Sequence, residues 1–491
     1  MNQREKIRII STETIKPSSP TPPHLTNFKL SLVDNYTAAA GYTPLVFFYP
    51  AHGSKTGEER LHVLKSSLAQ ALTRFYPLAG RLSRLNEGQQ QPAADSVPLM
   101  FIHCSDEGVP FSTADGGGFG SSMALFLARG PDADSLEQFL PFPAGLLLTT
   151  EAIESAPLFA ARATLFPCGG IAVGVCGTHK IMDAHTSADF VKFWGAAACR
   201  QGSEVGGAAY AHDRAATSLF PLSPDDVGPP AVNFGCEEGQ KKMVTRRFVF
   251  DGEAISALKS GARSDRVSNP TRSEVVFGFI WKSAVNATAK AVTSTGGGEA
   301  VYSVGGMLVD LRPRMKEPWL DYSVGNIFWS NPTVYKYDSK QRSDEAKTLQ
   351  QLVGELRSSV SKVDEKLMEK LEGGDGREEF FMNQQSWLMA LMPTGVAESD
   401  ITVMTFWMSS MVGIGFYDVD FGWGKPVWVG MTGFANQMFN RVMLMESPIG
   451  HGIEAWVTLH EHEMTIMEHD PRFLAYANNN PSVSWVCPSR L

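Results

Sequence analysis

The pentapeptide His179-Lys180-Ile181-Met182-Asp183 sets an imidazole and a carboxylate four residues apart. An imidazole titrates near neutral pH, so it can take a proton in one step and return it in the next. Asp183 can orient that ring, or pin the turn through an arginine elsewhere. It can equally be the N-cap of a helix that begins at Ala184, a role Asp fills well. A lone histidine in such a place is more often structural than catalytic. A second signature, Asp420-Phe421-Gly422-Trp423-Gly424, lies far downstream. By itself it reads as a turn with two glycines, an acid and aromatic filling. The order and separation of the two, more than either alone, carry the functional reading.

Other chemistries fit less well. His460, His462 and His469 stand near Glu461 and Glu463, but the HExxH spacing of zinc proteases is absent. These residues read as a solvated face, and no metal is expected. His185 falls inside the helix start and reads as structural. Six cysteines are scattered without a CxxC pair. Cys168, Cys176 and Cys199 lie in apolar stretches and read as small buried thiols. A reducing compartment without a disulfide framework is expected. The formal charge of −9 argues against nucleic-acid binding, which relies on basic surface. No apolar run is long enough to span a membrane. The N-terminal MNQREKIRIIS lacks the apolar core of a signal peptide. A cytoplasmic location is expected. The alternative is peroxisomal, because Ser489-Arg490-Leu491 is the Arg variant of a Ser-Lys-Leu address.

The elements that must hold these residues are legible. Residues 170–178 (GIAVGVCGT) read as a buried strand with Ile171, Val173 and Val175 on one face. From Ala184 the period becomes helical, with Phe190, Phe193, Trp194 and Ala197 on one side. His179 to Asp183 is therefore a strand-to-helix connection. Residues 45–49 (LVFFY) form a strand between two prolines. Leu61, Leu64, Leu68 and Leu72 mark an amphipathic helix, which stops at the Pro and Gly of YPLAGRL, 76–82. Residues 201–240 are rich in Gly, Ala, Pro and Asp and read as a linker. Beyond it, strands are expected at 245–250, 301–311 and 455–459, and helices at 255–259 and 275–284. At 491 residues the chain exceeds one ordinary core. The class is α/β or α+β with two comparable domains.

The chain resembles the BAHD family of plant acyl-CoA-dependent acyltransferases, and its alkaloid branch most. The stretches that carry this are IKPSSPTPPHLTNFKLSLVDN, YPLAGRL, HKIMD, LVDLRPR and FYDVDFGWGKP. The resemblance implies an α/β fold of two similar-sized domains like chloramphenicol acetyltransferase, each a mixed sheet flanked by helices. These would be 1–200 and 241–491, joined by a crossover at 201–240, with a channel at their interface. It implies acyl-CoA as co-substrate, no permanently bound cofactor, and a monomer. His179 would deprotonate an alcohol or amine acceptor, which attacks the thioester directly without an acyl-enzyme. Thr405 and Trp407 would donate to the oxyanion, although Phe406 stands where a Ser is usual. Asp183 would brace the loop through Arg312. Asp420, with Gly422 and Gly424, would organise a loop remote from the chemistry. Ala184 stands where many relatives have Gly. Thr271 and Arg272 would approach the CoA nucleotide. O-acyl transfer to a plant specialised metabolite is the main expectation. Amide formation is the alternative, and a non-catalytic acyl-CoA binder a further one.

Overall fold

The computed structural model describes residues 7–37, 41–53, 55–85, 97–119, 122–143, 152–200, 214–223, 225–226, 228–229, 242–294, 300–316, 323–338, 348–392, 401–432 and 439–483. The C-terminal tripeptide and most of 201–240 lie outside these residues. Within 201–240 a short helix, Arg214–Leu219, is described.

Five strands of the first half are β1 (Arg8–Ile15), β2 (Tyr42–Tyr49), β3 (Val109–Asp115), β4 (Phe159–Leu165) and β5 (Ile171–Thr178). They make one mixed sheet in the order β1-β3-β4-β5-β2, with β3 and β4 parallel. Every residue of β5 is buried. A strand covered on both faces reads as a continuous apolar run, which is how IAVGVCGT reads. The second half supplies β6 (Met243–Phe250), β7 (Ala300–Met307), β8 (Thr333–Asp338), β9 (Ile401–Ser410), β10 (Trp428–Gly430), β11 (Asn440–Glu446), β12 (Ile453–His460) and β13 (Asn478–Asn479). Seven of these form a second sheet, ordered β8-β7-β9-β11-β12-β6-β13. The eighth, β10, leaves it and pairs antiparallel with β2, Trp428 opposite Phe48. The first sheet is thus not built from residues 1–200 alone.

The helices include α1 (Leu32–Tyr36), α2 (Gly57–Arg74), α3 (Ala184–Cys199), α4 (Arg272–Ser294), α5 (Leu349–Ser361) and α6 (Gly376–Leu391). Thr56 and Glu59 form a capping box at the start of α2. Helix α3 is capped by Asp183, whose carboxylate accepts the Thr186 N–H. Its Phe190, Val191 and Trp194 are buried. The Trp194 indole donates to the Leu64 carbonyl at 3.0 Å, which locks α3 onto α2. Burying each such side chain contributes about 1.5–3 kcal/mol.

The expected strands at 45–49, 245–250 and 455–459 fall within β2, β6 and β12. The expected helices at 61–72, 255–259 and 275–284 fall within α2, Gly252–Ala262 and α4. The expected strand at 301–311 is divided. β7 ends at Met307, and Val309–Asp310 pairs separately with Phe328–Trp329. No helix among the described residues is long and apolar enough to cross a membrane.

Candidate active site

His179 follows β5 directly, its N–H donating to the Gly41 carbonyl at 3.0 Å. His179 is half-buried. Phe328, from the second half, meets it edge-on with centroids 6.3 Å apart. Nδ1 lies 3.1 Å from Asn326 Oδ1. The amide of Asn326 donates through Nδ2 to Asp34 Oδ1 at 2.8 Å and to the His179 carbonyl at 2.9 Å. Both of those oxygens only accept, so the amide is fixed and its own oxygen faces the ring. Nδ1 must then carry the proton, and the Nε2 lone pair is free. Burial is the main force lowering the His179 pKa below 6.5, and Arg441 acts in the same direction. Burial thus favours the neutral form of the imidazole.

Asp183 turns away from the imidazole. Its two oxygens accept from Arg312 Nη1 at 2.8 Å and Nη2 at 3.2 Å. They also accept the N–H groups of Thr186 and Ile327. It is at once a helix cap and a partner of arginine. Burial alone would raise its pKa. Arg312 and the two amides outweigh burial and hold the carboxyl below its ordinary value. Arg312 also donates to the Gly325 carbonyl and to Asp310. Gly325 has φ +129°, a conformation that favours glycine. From that turn Asn326 N–H points to Asp34 and Ile327 N–H to Asp183. Two acids of the first half thus hold one turn of the second. His185 lies between Asp310 and Asp189, 3.2 and 3.4 Å away, beside this network.

Strand β9 carries Thr405 and Trp407 on one face. Met404, Phe406 and Met408 point the other way, into the second core. Phe406 thus lies in the apolar core, on the face of the strand opposite Thr405 and Trp407. Trp407 stacks on Trp387 of α6, centroids 4.7 Å apart. In the parallel register with β11 its neighbour is Arg441, whose charge is felt at His179. Burial pushes the Arg441 guanidinium down to about 10.

Asp420 lies at the other end of α3. Its Oδ1 accepts the N–H groups of Gly422, Trp423 and Gly424 at 2.7, 3.1 and 2.9 Å. Gly422 and Gly424 have φ of +90° and +98°. Only glycine adopts that backbone without strain. Phe421 packs on Trp194, centroids 4.9 Å apart. The two sequence signatures thus meet on one helix, Asp183 capping its start and Asp420 against its last turns. Thr271 and Arg272 stand at the start of α4. Thr271 donates to Glu274, and Arg272 Nη1 donates to the His451 carbonyl at 2.9 Å. A groove of about 340 Å³ beside Trp329, Asn331, Leu367 and Asn383 does not include His179.

Asp34, Asn326 and Arg441 escaped the sequence reading. Ser31 and Asp34 show only a helix-capping pattern there, and nothing local links Asn326 to a histidine 147 residues away.

The chain matches the Transferase family over residues 5–474 and belongs to it; it is an acyl-CoA-dependent acyltransferase of the BAHD type. Akuammiline synthase 2 of Alstonia scholaris is 33% identical, the match covering 97% of this chain and 98% of that protein. Stemmadenine O-acetyltransferase of Catharanthus roseus is 32% identical over 95% and 97% of the two chains. The crystal structure of vinorine synthase superposes with a TM-score of 0.72 at 27% identity, covering 98% of this chain and all of that one. TRI101 of F. sporotrichioides, complexed with coenzyme A and T-2, shares the fold with a TM-score of 0.64 at 17% identity, covering 92% and 99%.

Proposed function

We propose that this enzyme transfers an acyl group from acyl-CoA to a hydroxyl of a bulky plant specialised metabolite, with His179 as general base. The observation that supports this is the contact of His179 Nδ1 with Asn326 Oδ1 at 3.1 Å. With Asn326 Oδ1 as the acceptor, Nδ1 carries the proton and Nε2 is left as the basic nitrogen of a half-buried ring that residues of both halves touch. Nε2 takes the proton of the acceptor hydroxyl as its oxygen attacks the thioester carbonyl. The carbonyl becomes a tetrahedral oxyanion. The C–S bond then breaks, and the imidazolium returns its proton to the departing sulfur. Each proton taken is given back, and no covalent enzyme intermediate forms.

Thr405 and Trp407 share the sheet face next to Arg441 and are the proposed donors to the oxyanion. Preorganised donors of this kind contribute about 2.7–4 kcal/mol each to the barrier. Thr271 and Arg272 are the proposed contact for the CoA nucleotide, where a long helix begins and a guanidinium suits phosphate. Relatives named as O-acetyltransferases favour an alcohol over an amine acceptor.

The test is release of free CoA thiol from a panel of acyl-CoAs with alcohol and amine acceptors. His179→Ala is expected to lower kcat by roughly 10²–10⁴ while the protein stays folded. Turnover at the wild-type rate in that variant would remove His179 as the base, and product formed only from amines would move the assignment to amide synthesis.

A further inference from the structure

Helix α1 and the turn at 325–327 meet behind the His179 ring. Asp34 Oδ1 accepts the Asn326 N–H at 2.7 Å and the Asn326 side-chain Nδ2 at 2.8 Å. Its other oxygen accepts the Ser31 N–H at 2.8 Å and the Ser31 hydroxyl at 2.7 Å. Four donors satisfy the ionised carboxylate. A capping box accounts for the bonds to Ser31. It does not account for the oxygen turned toward Asn326, 292 residues along the chain. That oxygen draws on the Asn326 N–H bonds, and the opposite end of the same amide receives the His179 Nδ1 proton. Hydrogen bonds in such a chain polarise one another.

We propose that Asp34 is a positioning residue for acyl transfer: through Asn326 it keeps the proton on His179 Nδ1 and stabilises the imidazolium formed when Nε2 takes the acceptor's proton. This rests on the reading of His179 as the base. No proton passes to Asp34. The Nδ1 proton stays where it is, and the carboxylate acts only by orienting and polarising one amide. Lys180 faces the same acid from the connection after β5, its Nζ bonding the Asn35 carbonyl at 2.8 Å and the Asp34 carbonyl at 3.4 Å. Asp183 raises the His179 pKa and Arg441 lowers it. Burial pushes Asp34 up to about 6, so the relay is charged above that pH.

The experiment is kinetics of the full-length enzyme across the neutral pH range for Asp34→Asn, Asn326→Ala and His179→Ala. It is accompanied by nitrogen NMR of wild-type enzyme labelled in its imidazoles, with the His179 signal identified by its loss in His179→Gln. Asp34→Asn and Asn326→Ala are each expected to lower kcat by about 10–100-fold. The KM for acyl-CoA should stay within about twofold, because the loss falls on the chemical step. The acid limb of kcat should move to lower pH, since an imidazolium without its partner gives up its proton more readily. Wild-type His179 should be the Nδ1–H tautomer. A folded Asp34→Asn with unchanged kcat and acid limb would overturn the proposal, as would an Nε2–H tautomer in the wild type. Should Asp34→Asn not fold, Asn326→Ala and the wild-type spectrum decide. An active His179→Ala would instead overturn the base assignment.

Discussion

His179 and Asp183 sit four residues apart and do unlike things. The imidazole bonds Asn326. The carboxylate faces inward to Arg312, almost without access to solvent. The His179 pKa lies below 6.5, so kcat/KM should hold as pH falls to 6.5 and decline only below it. A pH–rate profile checks this; an acid limb above 6.5 would contradict it. Asp183 has the opposite chemistry and the same direction of shift. Its folded pKa lies below the ordinary carboxylate value. The stability it adds is full above that ordinary value, about 4, and is lost as pH falls through the lowered one. Asp183→Ala should destabilise the fold at neutral pH by up to about 3–5 kcal/mol, because buried Arg312 loses its buried partner and keeps only the half-exposed Asp310. The deficit should shrink in acid. Thermal melts at neutral and acid pH measure both effects, and a variant as stable and active as wild type would refute the bracing role. The ends of this connection were legible because each has a local signal. Asn326 was not, since its meaning comes only from the distant residues it meets, His179 and Asp34.

Helix α3 links the two signatures because it is smooth at one point. A Cβ built on Gly195 would lie 2.7 Å from the Asp420 carbonyl oxygen, so the loop at 420–424 rests on bare helix backbone. Gly195→Val should push that loop away and unseat Phe421 from Trp194. The expected result is a melting temperature lowered by several degrees, in line with overpacking costs of about 1–3 kcal/mol. kcat should change little, because His179 is held at the far end of the helix. Differential scanning and steady-state kinetics read these, and a selective loss of kcat would place the loop closer to the chemistry. Periodicity over 184–199 showed which side of α3 is buried. It did not show that a glycine on that helix carries a loop from residue 420, because periodicity says nothing about the partner.

The two sheets are sewn together at a buried charged seam. Arg247 of β6 pairs with Glu454 of β12 at 3.3 Å, both almost wholly buried. The Trp428 indole, from β10 in the other sheet, donates to Glu454 at 3.1 Å, and the Arg247 guanidinium lies over its ring. Arg247 further bonds Asn480 and the Pro481 carbonyl. Glu454→Ala strands a buried guanidinium and should cost about 3–5 kcal/mol. Its melting temperature should drop with both cores unfolding together, which near-ultraviolet dichroism of tryptophans in each core can follow. Separate melting of the two cores would show that the seam does not couple them. Mixed strand and helix signals in both halves made an α/β or α+β class with two comparable domains readable. The strand exchange was not. Residues 428–430 are too few to carry a pattern, and their allegiance is decided by pairing with β2.

That exchange has a consequence for biosynthesis. On the ribosome, the outer edge of β2 is made early and its partner very late. At about 5–20 residues per second, roughly 20–80 s separate the two, during which an apolar strand offers unpaired amides to any neighbour. Nascent chains of this enzyme should therefore depend on a chaperone until translation passes residue 430.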